Sequence, residues 1–196
     1  MDFVGFPKIS RMSREIVVTE KIDGTNAQIY ILDDRSSITL PSGQVVPFLC
    51  GSRTQYIFPK NDNYGFARWA YKNTDSILEL LGPGRHFGEW WGQGIQRGYG
   101  LKEKRFSLFN VTRWAEQPLP PGVFVVPIIG VYPVFDTNRI WDCLRNLISY
   151  GSYAAPGYKN PEGIVIYHKA GNVLFKKTIV KDELPTKEAK TCTNIL

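Results

Sequence analysis

The sequence predicts an α+β fold of mostly antiparallel sheets flanked by helices. Three observations lead there. Strand-like stretches outnumber helical ones, the two kinds do not alternate as they would around a parallel sheet, and turn-forming residues separate neighbouring strands closely enough for hairpins. A chain of 196 residues, 43% hydrophobic and 21% charged, suffices for one domain with a sizeable core. No linker divides it and no repeat of solenoid period is visible. The expected layout is one domain over residues 1–180 and a polar tail over 181–196.

Taken in order, residues 16–18, 27–32, 37–40 and 45–50 read as strands, with Asp23-Gly24, Asp33-Asp34 and Pro41-Ser42-Gly43 turning the chain between them. Residues 66–81 read as a helix, because Phe66, Trp69, Ala70, Ile77, Leu80 and Leu81 recur near helical spacing and Gly82-Pro83-Gly84 stops the run. Strands return at 86–91, 106–112 and 123–129. A second helix is predicted from Thr137, as its N-cap, to about Ile148, burying Ile140, Trp141, Leu144 and Ile148, with Gly151 beyond its end. Residues 163–168 and 173–180 then read as a hairpin across Lys169-Ala170-Gly171-Asn172.

Several function classes are excluded by the same inspection. The longest apolar stretch, residues 123–135, is broken by Pro127, Gly130 and Pro133. It falls short of the roughly 20 residues that a membrane span needs. The opening MDFVGFPKISRMSRE has no hydrophobic core of a signal peptide, so the Asn110-Val111-Thr112 sequon is expected to stay unused. Lys181-Asp182-Glu183-Leu184 is not C-terminal, and Cys192 stands one residue too far from the end for prenylation. Cys50, Cys143 and Cys192 form no CxxC pair, which fits reduced thiols in a cytoplasmic setting and gives no zinc-finger spacing. The net charge of +6 allows a polyanionic partner. It is uneven: Arg85, Arg97, Lys102, Lys104, Arg105 and Arg113 face only Glu89 and Glu103 in that stretch. A solvated basic face is the plain alternative.

There is no P-loop, no GxSxG elbow and no HExxH. His86 and His168 are too few for a histidine-rich metal site, and each reads as a core or surface residue. The positive signal is Lys21-Ile22-Asp23-Gly24-Thr25-Asn26. A lysine at the end of a hydrophobic strand, followed by an acid and a turn glycine, presents an amine at the mouth of a sheet, and the glycine permits close backbone approach to a ligand. A lysine that attacks an electrophile must be neutral, and nearby cations or a hydrated metal favour that form. Alone, the same residues also fit a plain strand-turn-strand with an exposed lysine.

The chain as a whole resembles the covalent nucleotidyltransferases, which comprise RNA ligases, DNA ligases and mRNA capping enzymes. Residues 21–26 are similar to motif I of that superfamily, and Gly51-Ser52-Arg53-Thr54 to motif Ia. Phe87-Gly88-Glu89-Trp90-Trp91-Gly92 is similar to motif III, and Phe106-Ser107-Leu108-Phe109-Asn110-Val111 to motif IIIa. Pro161-Glu162-Gly163-Ile164-Val165-Ile166 resembles motif IV and Leu174-Phe175-Lys176-Lys177 motif V. Six elements in family order span most of the chain.

The resemblance implies a nucleotidyltransferase domain of the ATP-grasp-like ligase adenylation type, using ATP with Mg²⁺ or Mn²⁺. It implies that Lys21 is the nucleophile toward the α-phosphate, giving a lysyl-AMP phosphoramidate and pyrophosphate. Arg53 would contact the ribose or a phosphate, Glu89 would accept hydrogen bonds from a ribose hydroxyl, and Phe109 would stack on the purine. The base contact would come from the backbone near Glu20. Glu162 would hold the divalent metal, and Lys176 and Lys177 would neutralise phosphate charge. Standing alone, Glu89 also fits a strand-edge carboxylate, Arg53 a surface charge, Phe109 a core residue, and the two lysines a solvated strand end.

Motif V commonly reads Lys-any-Lys, whereas here Lys176 and Lys177 are adjacent and Thr178 follows. Lys176 is the first choice for the α-phosphate. No OB-fold domain of the kind that many relatives append after motif V is expected, and nucleic-acid grip is then expected from the domain's own surface. Arg97, Lys102, Lys104 and Arg105, in and after a glycine-rich stretch, are candidate phosphate contacts, with a structural loop as the alternative. Asn26 favours an RNA ligase, since DNA ligases and capping enzymes tend to carry Arg there. The implied reaction joins an RNA 5′-phosphate to a 3′-hydroxyl. The alternatives are an ATP-dependent DNA ligase, a capping guanylyltransferase, and a catalytically silent nucleic-acid-binding module on the same scaffold.

Overall fold

Two sheets share one chain because strands written for different sheets follow each other directly. A computed structural model describes residues 2–40, 42–180 and 182. The elements are β1 (Ile16–Lys21), β2 (Thr25–Ile31), β3 (Ile38–Thr39), β4 (Val45–Val46), β5 (Leu49–Gly51), β6 (Tyr56–Ile57), α1 (Phe66–Lys72), α2 (Thr74–Leu81), β7 (Gly84–Gly92), β8 (Lys104–Leu108), α3 (Val111–Trp114), β9 (Val123–Val125), β10 (Ile128–Tyr132), α4 (Thr137–Tyr150), β11 (Gly163–His168) and β12 (Val173–Thr178). A four-stranded sheet runs β10-β1-β11-β12 and a six-stranded sheet β6-β5-β2-β7-β8-β9, with β3 and β4 forming a small ribbon. All pairings are antiparallel except β8 with β9. The expected α+β class with mostly antiparallel sheets is what the chain forms.

Three apolar clusters hold the layers. Ala27, Ile29 and Ile31 alternate inward from β2 and pack with Phe66, Ala70 and Ile77 of α1 and α2. Ile16 and Val18 of β1 do the same against Ile140, Cys143, Leu144 and Leu147 of α4. A third cluster, with Val17, Ile22, Trp91 and Tyr99, joins the two sheets to each other. Consecutive β1 residues thus face different clusters, and that alternation is what lets one strand serve two layers.

Several expected elements shift. The single helix over 66–81 is two, broken at Asn73, whose backbone N–H donates to Trp69 O and Ala70 O while its side chain also donates to Trp69 O. The strand expected to reach residue 112 ends at Leu108, and Asn110 caps the short α3 by accepting from the Arg113 N–H. The strand expected over 123–129 splits around Pro127, which has no N–H to donate. Its first part pairs with β8 and its second with β1, so the chain changes sheets there. The cap of α4 is Asp136, accepting from Asn138 N–H at 2.8 Å, rather than Thr137. Trp141 and Ile148 are about half exposed. Cys143 and Leu147 take the buried positions instead, continuing the spacing of Ile140 and Leu144.

Cys50 and Cys143 are buried free thiols. The expectations for Cys192 and for the tail, Asp182 apart, fall outside the described residues. Among the described residues no helix is long and apolar enough to cross a membrane.

Candidate active site

Lys21 is the last residue of β1, and residues 22–24 carry the chain across to β2 in the other sheet. The amine therefore sits where the two sheets meet, at a cleft of about 1110 Å³ that Glu20, Lys21, Asn26, Arg53, Glu89, Phe109 and Lys176 all line. Lys21 Nζ donates to Glu162 Oε2 at 2.5 Å. Glu162 immediately precedes β11, whose Gly163 pairs with Lys21, so strand register fixes the contact. Gly163 is required there: a Cβ would meet Lys177 O at 2.2 Å.

Across the cleft, Asn26 of β2 pairs with Glu89 of β7. Asn26 Nδ2 donates to Glu89 Oε2 at 3.0 Å, Gly24 N–H donates to Glu89 Oε1 at 3.1 Å, and Arg53 Nε donates to Asn26 Oδ1 at 2.9 Å. Glu89 is thus a positioned carboxylate, and the strand-edge alternative gives way. Its pKa is pushed up to about 7, chiefly by burial, against the opposing pull of Lys21 and the Gly24 and Asn26 donors. Gly24 is small for a reason other than ligand approach: a Cβ would meet Trp90 O at 2.5 Å and Trp91 Cβ at 2.7 Å. Phe109 is 43% exposed along the cleft, so it is not the core residue that its hydrophobic neighbours allowed.

Glu20 points away from the amine, as alternation demands. Its carboxylate is buried and accepts from Ser152 Oγ at 2.6 Å and from the Tyr153 and Ala154 N–H groups at 2.8 Å each. Burial raises its pKa while these donors pull it down. Nothing in the local sequence around Ser152 announces this clamp, which ties the segment after α4 to the strand that carries Lys21.

The two adjacent lysines separate. Lys176 lines the cleft. Lys177 faces α4, with its ammonium 4.3 Å over the Trp141 ring and a 2.9 Å hydrogen bond to Asp182. Both were expected to neutralise phosphate charge; the period-two geometry of β12 turns only Lys176 into the cleft. The basic segment also departs from expectation. Arg97 Nε donates to Asp23 Oδ2 at 2.8 Å and its Nη1 donates to Asn160 O at 3.1 Å, bridging the turn after Lys21 to the residues before Glu162. Tyr99 accepts from the Asp23 N–H at 2.8 Å. Lys104 donates to Tyr64 O at 2.7 Å, and Arg105 is engaged by Glu103, Ala154 O and the Phe124 ring. Lys102 alone of the four projects as an exposed charge. They are not one open phosphate-binding face. Both histidines are buried, and each donates from Nε2 to a backbone carbonyl, His86 to Gly82 O and His168 to Met12 O.

Among the described residues no group of three or more His, Cys, Asp or Glu side chains could hold a metal by itself. A magnesium-like ion needs only one or two carboxylates when phosphates and water complete its shell. Glu162, a carboxylate already countering a cation at the cleft's edge, fits that lesser requirement.

The sequence matches a family model described as RNA ligase over residues 14–181. No curated protein matches the chain. Solved structures with this fold include a glutamate-to-alanine mutant of Naegleria gruberi RNA ligase with ATP and Mn. It has a TM-score of 0.58 at 19% identity and covers 85% of this chain and 50% of that one. The same organism's RNA ligase with PPi gives a TM-score of 0.57 at 20% identity, covering 84% and 49%. A lysine-to-methionine mutant with AMP and Mn gives 0.55 at 20%, covering 85% and 50%. This chain spans about half the length of those proteins, and at such identities the likeness is one of fold. The family match covers most of the sequence and contains every residue placed around Lys21: the chain belongs to the RNA ligase family.

Proposed function

We propose that the chain is an ATP-dependent RNA ligase whose Lys21 carries AMP between ATP and the 5′-phosphate of an RNA. The observation that carries this reading is the convergence of Lys21, Glu89, Phe109 and Lys176 on one cleft from separate parts of the chain, with Glu162 bonded to the Lys21 amine. The Naegleria gruberi ligase structures with ATP, AMP, PPi and Mn support ATP and a divalent ion as the reagents.

In the first step the neutral Lys21 amine forms the N–P bond to the α-phosphorus. The bond from that phosphorus to the bridging oxygen breaks, and pyrophosphate leaves with the electron pair. The proton lost by the amine has the Glu162 carboxylate at 2.5 Å to receive it. Lys176 supplies positive charge where the α-phosphate oxygens become more negative. A divalent ion held by Glu162 would, when bound, lend further charge to the phosphate oxygens. Phe109 offers a face to the purine, while Glu89, fixed by Asn26 and Gly24, is set to accept from the ribose. The RNA 5′-phosphate then takes AMP from Lys21, and attack by a 3′-hydroxyl on the activated phosphate closes the RNA and releases AMP. In each step the protein chiefly positions groups and neutralises charge.

The test is incubation with α-labelled ATP and Mg²⁺ or Mn²⁺, beside Lys21→Ala, followed by addition of an RNA with 5′-phosphate and 3′-hydroxyl ends. Label retained on denatured wild-type protein but not on the variant, and chased to AMP as the RNA is joined, is the expected result. Label from GTP and not ATP would instead establish a guanylyltransferase. No label with either nucleotide, in folded protein, removes the first step.

A further inference from the structure

The cleft continues past Glu89. On β2 and β7 the residues sharing its face form successive cross-strand pairs: Asn26 with Glu89, Gln28 with Phe87, and Tyr30 with Arg85. Ala27, Ile29 and Ile31 point to the opposite face and its core. The first pair belongs to the site around Lys21. The next two lead away from Trp91, where the sheets pack together, and they carry no acidic side chain.

What they do carry is aromatic and cationic. Phe87 is 51% exposed, and Tyr56, on β6 at the sheet edge, is 39% exposed. Arg85 is exposed but oriented: its guanidinium lies 3.9 Å over the Tyr30 ring, and Nη1 donates to Tyr56 Oη at 3.3 Å and Gln28 Oε1 at 3.4 Å. Phe87 and Arg85 line the same cleft as Lys21. Two residues of strand advance roughly 7 Å, so each pair is one step further from the nucleophile. Open aromatic faces alternating with a fixed guanidinium are what stack successive bases and neutralise the phosphates between them.

We propose that Phe87 and Tyr56, with Arg85 between them, form a binding strip for the single-stranded RNA segment that leads to the end being joined at Lys21. The strip itself follows from geometry and charge; its role in joining rests on the ligase reading. Gln28 and Tyr30 hold Arg85 in place and are positioning residues.

The test titrates an end-labelled, mixed-sequence single-stranded RNA into the full chain without ATP, at several salt concentrations, following fluorescence anisotropy. Phe87→Ala and Tyr56→Ala are each expected to weaken binding roughly five- to hundredfold, the range for loss of one stacking partner. Arg85→Gln is expected to reduce the slope of log affinity against log salt by about 0.7, as one phosphate contact on a single strand is lost. Tyr150→Ala removes an aromatic that is 70% exposed on α4 and is expected to bind as wild type does. Melting curves establish that each variant is folded. If Phe87→Ala fails to fold, Tyr56→Ala, at an exposed edge, decides the matter. Folded Phe87→Ala and Tyr56→Ala proteins that keep wild-type RNA affinity overturn the strip. So does a Phe87→Ala protein that loses labelling by ATP while RNA affinity stands, since Phe87 then serves the nucleotide. Failure of the ligase reading looks different: wild type takes no label from ATP, yet RNA affinity still falls in these variants.

Discussion

At the scale of single residues, the candidate site rests on ion pairs that hold the Lys21 amine and its flanks. Lys21 is anchored by Glu162, and Arg97 ties Asp23, two residues beyond the amine, to Asn160, two residues before that glutamate. Arg97 touches none of the reacting groups, so it is a positioning residue. Arg97→Ala is expected to slow labelling of Lys21 at saturating ATP about tenfold or more, because small misplacements of reacting atoms are costly. Arg97→Lys, which keeps the charge but not the fork, is expected to recover only part of the rate. A fall in affinity for ATP with the saturated rate intact would contradict that role. Glu89 yields a second prediction. Its pKa is raised from 4.5 to about 7 by burial, so its favourable contribution is full below about pH 4.5 and is lost as pH rises through 7. The loss amounts to up to about 3 kcal/mol, at about 1.36 kcal/mol per unit. Melting temperature measured from pH 5 to pH 8 should therefore fall more steeply in wild type than in Glu89→Gln.

At the scale of elements, strand alternation decides which side chain serves which face. On β12 it sends Lys176 into the cleft and Lys177 to Trp141 of α4. Lys176→Ala is expected to reduce the labelling rate by about 10² to 10³, the cost of losing one charge-stabilising group. Lys177→Ala should cost far less there and show instead as a lower melting temperature; equal rate losses in the two variants would contradict this assignment. On β1 the same alternation turns Glu20 away from Lys21 into its clamp. Ser152→Ala removes one of three donors from a buried carboxylate and is expected to cost about 1–3 kcal/mol in denaturant unfolding. The elements that were legible in the sequence are those with strong periodicity and clear stops: β1, β2, β7, α4 and the β11–β12 hairpin. Those misread have local causes. The break at Asn73 depends on backbone hydrogen bonds, the exchange at Pro127 on tertiary pairing, and the half-exposed Trp141 on the ammonium above it.

At the scale of the whole molecule, the fold brings together sequence segments more than a hundred residues apart, as the Lys21–Glu162 pair shows. Lys21, Asn26, Arg53, Glu89, Phe109, Glu162 and Lys176 were legible as candidates from motif order; all but Glu162 line one cleft, and Glu162 is bonded to Lys21. Ser152, Asn160, Tyr99 and the strip of Arg85 and Phe87 were not singled out as site residues, because their partners are distant and their local sequence is unremarkable. What the basic segment faces was not legible, because charge in a sequence does not say what it meets: Arg97, Lys104 and Arg105 each find partners within the fold. The central claim is that this assembly makes Lys21, and no other residue, a covalent carrier of AMP. It is tested most directly by incubating the full chain with ATP and Mn²⁺, digesting it, and locating the adduct by mass spectrometry. One AMP per chain on the peptide containing Lys21, acid-labile as a phosphoramidate and removed by added pyrophosphate, is the predicted result. AMP on another residue, or a folded protein that binds ATP and acquires no adduct, would contradict it.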